Sequence, residues 1–109
     1  MLPTQDFEAI RGDTFGPHTF TITIEGEDLS ATTVKIQWKK DYDANAVLTL
    51  TPSTSSPSLG VLTFDYEATS IETANIDPST YLYDVEITFN AKVKTVLAGK
   101  VIMHPDVTQ

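Results

Sequence analysis

The chain contains no cysteine. Disulfides and thiolate metal sites are therefore excluded, and the fold must be held by its core alone. The absence fits a reducing compartment. Histidine occurs twice and tryptophan once, so imidazole chemistry has only His18 and His104 to draw on. Positive charge is scarce: seven Lys and Arg face fifteen Asp and Glu, for a formal charge of −8. An acidic surface repels phosphate backbones, which argues against a nucleic-acid partner. No apolar run approaches the roughly 20 residues of a membrane helix. The opening MLPTQDFEAI lacks a basic stretch followed by an apolar one, so no signal peptide is expected.

What the chain has is alternation. Tyr81, Tyr83, Val85, Ile87 and Phe89 point one way, and Leu82, Asp84, Glu86 and Thr88 the other. A period of two predicts a strand over Thr80–Phe89, a turn at Asn90-Ala91 and a return strand from Lys92. Further strands are predicted at Phe7–Ile10, His18–Glu25, Thr33–Lys39, Ala46–Thr51 and Leu59–Tyr66. Their inward faces are Phe20, Ile22 and Ile24, then Val34, Ile36 and Trp38, then Leu48 and Leu50, then Leu62 and Phe64. Pro52–Ser58 reads as a polar connecting loop, because two prolines and four serines suit a sheet interior poorly. Ser70, Ile71, Thr73 and Ala74 suggest one helical turn capping an end of the fold. The expectation is a single all-β domain over residues 1–109. It would be an antiparallel two-sheet sandwich of about seven strands with one short helical turn.

Two features favour an immunoglobulin-like version. Trp38 lies on the third strand, and Asp77 precedes Tyr81 at a spacing that suits a tyrosine corner. The alternative is that both aromatics are ordinary core residues.

Candidate chemistry is thin. Arg11-Gly12-Asp13 matches an integrin-binding tripeptide but reads better as a turn, with Gly12 free to take positive φ. Asp41-Tyr42-Asp43-Ala44-Asn45 resembles half of a calcium loop, yet Ala46 and Pro52 stand where glycine and glutamate are required. A solvated hairpin loop accounts for it. No carboxylate-rich motif frames His18 or His104, and no nucleophile elbow, phosphate loop or dinucleotide fingerprint occurs. No catalytic, cofactor-binding or metal-binding residue is expected, and no enzyme. Lys35, Lys39 and Lys40 beside Asp84 and Glu86 read as cross-strand charge pairing.

Six segments, taken in order, carry a resemblance: FEAIRGDTF, TFTITIEGEDL, TVKIQWKK, LGVLTFDYEATSIETANI, YLYDVEI and VLAGKVIMHPDVTQ. The chain resembles the N-terminal domain of siphophage upper baseplate proteins and related small structural proteins of tailed bacteriophages. The matching residues are Arg11–Thr14, Tyr83–Glu86, Gly99–Val101 and Asp106–Thr108. The resemblance implies a non-enzymatic virion component, made in the bacterial host cytoplasm and docking on other virion proteins in several copies, as a head, head-tail or tail adaptor or decoration protein. Contact regions expected on that reading are Met1–Asp6, Pro52–Ser58 and Pro105–Gln109. The rival reading is a host-surface or carbohydrate-binding immunoglobulin-like module, whose exposed aromatics would be Tyr42 and Tyr66.

Overall fold

A computed structural model describes residues 4–106. Its strands are β1 (Phe7–Ile10), β2 (Phe15–Thr23), β3 (Thr33–Lys39), β4 (Ala46–Leu50), β5 (Thr54–Ser55), β6 (Val61–Ala68), β7 (Ser79–Phe89) and β8 (Lys92–His104). One helical turn, α1 (Ser70–Ala74), joins β6 to β7. The chain is an all-β sandwich. A five-stranded sheet, β1-β8-β7-β3-β4, packs on a three-stranded sheet, β2-β6-β5.

The order is immunoglobulin-like. β2-β6-β5 fill the B-E-D seats, β8-β7-β3 fill the G-F-C seats, and β4 extends the second sheet as in variable-type domains. Tyr81 closes a tyrosine corner, its hydroxyl donating to the Asp77 carbonyl at 2.6 Å. Trp38 is fully buried on β3, and its indole N–H donates to the Tyr66 hydroxyl at 2.5 Å. Around this pair Phe7, Phe15 and Tyr83 meet in edge-on and tilted contacts. Phe15 lies 5.4 Å from Trp38, and Phe7 lies 5.4 Å from Tyr66. The aromatic plug sits between the sheets and fixes their spacing.

Several expectations are corrected. β1 pairs with β8 in parallel, Phe7 beside Val101 and Ile10 beside His104, so the sandwich is not wholly antiparallel. Among the described residues there are eight strands. The added one, β5, lies inside the Pro52–Ser58 segment and pairs with β6. β2 starts at Phe15, ahead of the predicted His18, and carries an irregularity at Gly16-Pro17 before the regular ladder begins at His18. β6 starts at Val61, because Gly60 turns at φ +79 and leaves Leu59 72% exposed. The helical turn is present but faces the other way. Ile71 and Ala74 are exposed, and Thr73 is the buried residue. Its cap is a capping box missed in the sequence: Glu72 N–H donates to the Thr69 hydroxyl, and the Glu72 carboxylate receives Thr69 N–H.

The β7–β8 turn has Asn90 at φ 48 and Ala91 at φ 61. Two left-handed residues make it the turn type that matches strand twist. Asparagine accepts that conformation and alanine does not. The penalty at Ala91 is about 1–2 kcal/mol, against an unfolded-state entropy gain of about 0.4–1 kcal/mol for keeping alanine. Ala91→Gly should therefore stabilise by about 0.5–1 kcal/mol, seen as a higher urea midpoint at unchanged slope.

Candidate functional site

The outward face of the five-stranded sheet is where polar side chains converge. Register aligns them in rows across the strands. Lys39, Leu82 and Lys100 form one row, Gln37, Asp84 and Ala98 the next, and Lys35, Glu86 and Thr95 the third. Register shifts within β8, between its partners of Val85 and Glu86. The irregularity buries Val96 and Leu97 in succession and brings Thr95 onto the outer face.

These rows floor a cleft of about 520 Å³. Leu82 and Ala98 give it an apolar base. Lys39 and Lys100 stand on two sides, and Asp6, Asp41, Asp84 and Gln37 supply acceptors and an amide. The β3–β4 loop forms the rim. There Asp43 N–H donates to the Asp41 carboxylate at 2.9 Å, and Ala44 N–H donates to the Asp41 carbonyl at 3.2 Å. The half-calcium motif is thus a tight Asx turn. It holds Tyr42 85% exposed at the cleft's edge.

Asp84 is a perturbed carboxylate on the floor of the cleft. Partial desolvation, then the neighbouring Glu86, raise its carboxyl above the ordinary 3.8, while Lys39 and Lys35 pull it back. Lys35 lies 3.9 Å from Glu86, a surface pair of little energetic weight. A raised folded-state pKa means that the folded protein holds the Asp84 proton more tightly than the unfolded chain. That contribution is complete below the unfolded value of 3.8 and is lost as pH rises through the raised value. Asp84→Asn should accordingly raise the melting temperature at neutral pH, with the gain shrinking on acidification toward 3.8. Thermal melts across that range test it.

The remaining sequence candidates are distributed, not assembled. Arg11-Gly12-Asp13 is a turn folded onto α1. Arg11 Nε donates to the Ala74 carbonyl at 3.0 Å, Gly12 N–H donates to the Thr73 hydroxyl at 3.1 Å, and that hydroxyl donates to the Asp13 carbonyl at 2.7 Å. His18 packs against Phe7 and Phe15, whereas His104 meets Glu8 at 2.7 Å on the β1–β8 edge. Lys40 bonds the Ser79 hydroxyl and lies over the Tyr81 ring. Tyr66, expected as an exposed aromatic, is wholly buried beneath Trp38.

The proposed contact segments also differ from expectation. Residues 4–6 are built into the sheet. Gln5 N–H donates to the Ala98 carbonyl at 3.0 Å, Tyr83 OH donates to the Gln5 carbonyl, and Lys100 N–H donates to the Asp6 carboxylate at 3.0 Å. Pro52–Ser58 is tied down by Thr54 to the Thr32 carbonyl and Ser56 to the Val61 carbonyl. β8 ends at His104, as Pro105 requires. Met1–Pro3 and Val107–Gln109 lie outside the described residues.

Fold and face together define an immunoglobulin-like sandwich with an amphipathic cleft on its larger sheet. No protein-family model matches the sequence, and no curated protein matches it. Among solved structures, an uncharacterized protein from Bacillus anthracis str. Ames is similar at a TM-score of 0.48 and 17% identity, over 96% of this chain and 85% of that one.

Proposed function

We propose that this chain is a non-enzymatic docking module of a bacteriophage particle, present in several copies and binding other virion proteins through the outer face of its five-stranded sheet. The observation that carries the docking part is the cleft between Lys39, Lys100, Asp84 and Tyr42. Its floor and most of its walls stand on β3, β7 and β8, not on loops. Side chains on paired strands are pre-positioned and lose little freedom on binding. Mixed charge around an apolar base suits a protein surface of complementary pattern. The virion part rests on the sequence resemblance described above.

The test is incorporation. In the bacterial host, particles purified by density gradient should carry the polypeptide in fixed proportion. Lys39→Glu with Lys100→Glu should lower its content about tenfold or more, with the circular dichroism spectrum showing that the variant still folds. Particles that lack the wild-type polypeptide overturn the reading.

A second reading is favoured by one observation. Tyr42 is exposed beside carboxylate and amide groups, the pairing by which aromatic faces and polar side chains hold a sugar ring. On that reading the module binds a host-surface glycan. Glycan-array binding that Tyr42→Ala abolishes would establish it in place of the first.

A further inference from the structure

We propose that two copies of this chain associate through β2, edge to edge and antiparallel, about a twofold axis at Thr21. Among the described residues β2 pairs only with β6, so its other edge is open. Its polarity follows from one hydrogen bond. Ile24 N–H donates to the Gly60 carbonyl at 2.8 Å. In an antiparallel ladder such groups alternate sides, so Phe20 and Ile22 also bond toward β6. Thr19, Thr21 and Thr23 therefore turn their N–H and C=O groups to the open edge.

Three observations select a second copy as the occupant. First, β2 holds no Lys, Arg, Asp or Glu in a chain of net charge −8. Edge strands ordinarily carry charge to prevent pairing, and here a copy of the same strand meets no like charge along it. The β1 edge, by contrast, carries Glu8. The β4 edge has five residues and a register shift at Trp38/Lys39. Second, the irregularity at Gly16-Pro17 closes one end of the edge, because proline offers no donor. The usable stretch is then residues 18–24, and full overlap of two such stretches puts Thr21 opposite its own copy. Thr19 falls opposite Thr23, so all three outward-facing residues land in hydrogen-bonded positions at once. Third, the same register sets Phe20 opposite Ile22 of the second copy, in the closer, non-hydrogen-bonded position. Both side chains are only partly buried in the single chain, packed at the rim of the core. Pairing covers them, and the exposed Thr19, Thr21 and Thr23 side chains form a cross-strand row on the opposite face. Two three-stranded sheets become one continuous sheet of six.

The pairing does not rest on the virion reading and leaves the cleft free on each copy. Sedimentation equilibrium of the purified full chain tests it without any partner. A concentration-dependent species of twice the 12.0-kDa chain mass is expected. It should persist at high salt, since no charge pair holds it. Thr21→Pro removes an outward donor and leaves the β6 ladder intact. It should raise the dissociation constant about tenfold or more without changing the circular dichroism spectrum. Should Thr21→Pro unfold, Thr21→Lys gives the same reading, because it sets two ammonium groups opposite each other at the axis. A wild-type chain that stays monomeric at millimolar concentration overturns the proposal. So does a dimer that tolerates both substitutions, since it must form through another edge.

Discussion

Trp38→Ala should cost about 3–5 kcal/mol, enough to unfold most small domains at physiological temperature. Two losses combine. The indole fills the space between the sheets at the centre of the aromatic cluster, and its removal leaves a cavity that Phe15 and Tyr66 cannot both close. The indole N–H is also the partner of the Tyr66 hydroxyl. Tyr66 is fully buried, and its phenol is pushed far above its ordinary range by that burial, partly offset by the bond from Trp38. Without Trp38 the hydroxyl is left buried and unpaired, a further cost of about 1–3 kcal/mol unless water enters. Trp38→Phe separates the terms, because it restores most of the volume and none of the hydrogen bond. Urea unfolding of both variants should show Trp38→Phe between wild type and Trp38→Ala. If Trp38→Ala lost less than about 1 kcal/mol, the central placement of the indole would be wrong.

Gly99→Ala should be severely damaging for the addition of a single methyl group. A β-carbon at Gly99 would stand 2.1 Å from the Gln5 carbonyl oxygen and 2.8 Å from its carbon. Both are backbone atoms, so no rotamer change relieves the clash. The segment that precedes β1 must move off β8. It would take with it the Gln5 N–H bond to Ala98, the Tyr83 hydroxyl bond to Gln5 and the Asp6 bond to Lys100 N–H. Overpacking of this kind costs about 1–3 kcal/mol, and the lost hydrogen bonds add about 1 kcal/mol each. Hydrogen exchange should localise the damage. Ala98 is the acceptor, so the Gln5 amide itself should lose protection, together with Lys100, while the β3–β7 ladder keeps its own. An Ala variant with wild-type protection at Gln5 would mean that the segment is seated differently.

Much of the sandwich was legible because half-buried strands write their pleat into the sequence. Tyr81 to Phe89 alternates without a fault, and it is the central strand of the larger sheet, between β3 and β8. The Asn90-Ala91 turn was legible too, since two residues between alternating runs leave few other geometries. The tyrosine corner and the buried tryptophan followed from spacing. What was not legible depended on contacts remote in sequence. Nothing in FEAI says that it pairs in parallel with VIMH some 94 residues on. Thr54-Ser55 has no alternation to read and becomes a strand only because β6 offers an edge. Tyr66 was misread: it shares the parity of Leu62 and Phe64, so the alternation of its own strand already turned it inward, and only its partner, Trp38, is remote in sequence. The cleft was half legible. Leu82 and Asp84 were placed on the outer face, but strict alternation along KVKTVLAGK would seat Thr95 beside Leu97, and only the register shift in β8 moves it to the other side.

The parallel seat of β1 beside β8 determines how the molecule carries load. Phe7 to Ile10 and Val101 to His104 run in the same direction, in four consecutive register pairs. Tension applied before Phe7 and after His104 in opposite senses pulls the two strands along their length, past one another. All four pairs are then stressed together in shear, and none can open first as a zipper tooth would. Stretched between Phe7 and His104, the sandwich behaves as a tie-rod, with its strongest resistance along the direction that β1 and β8 share.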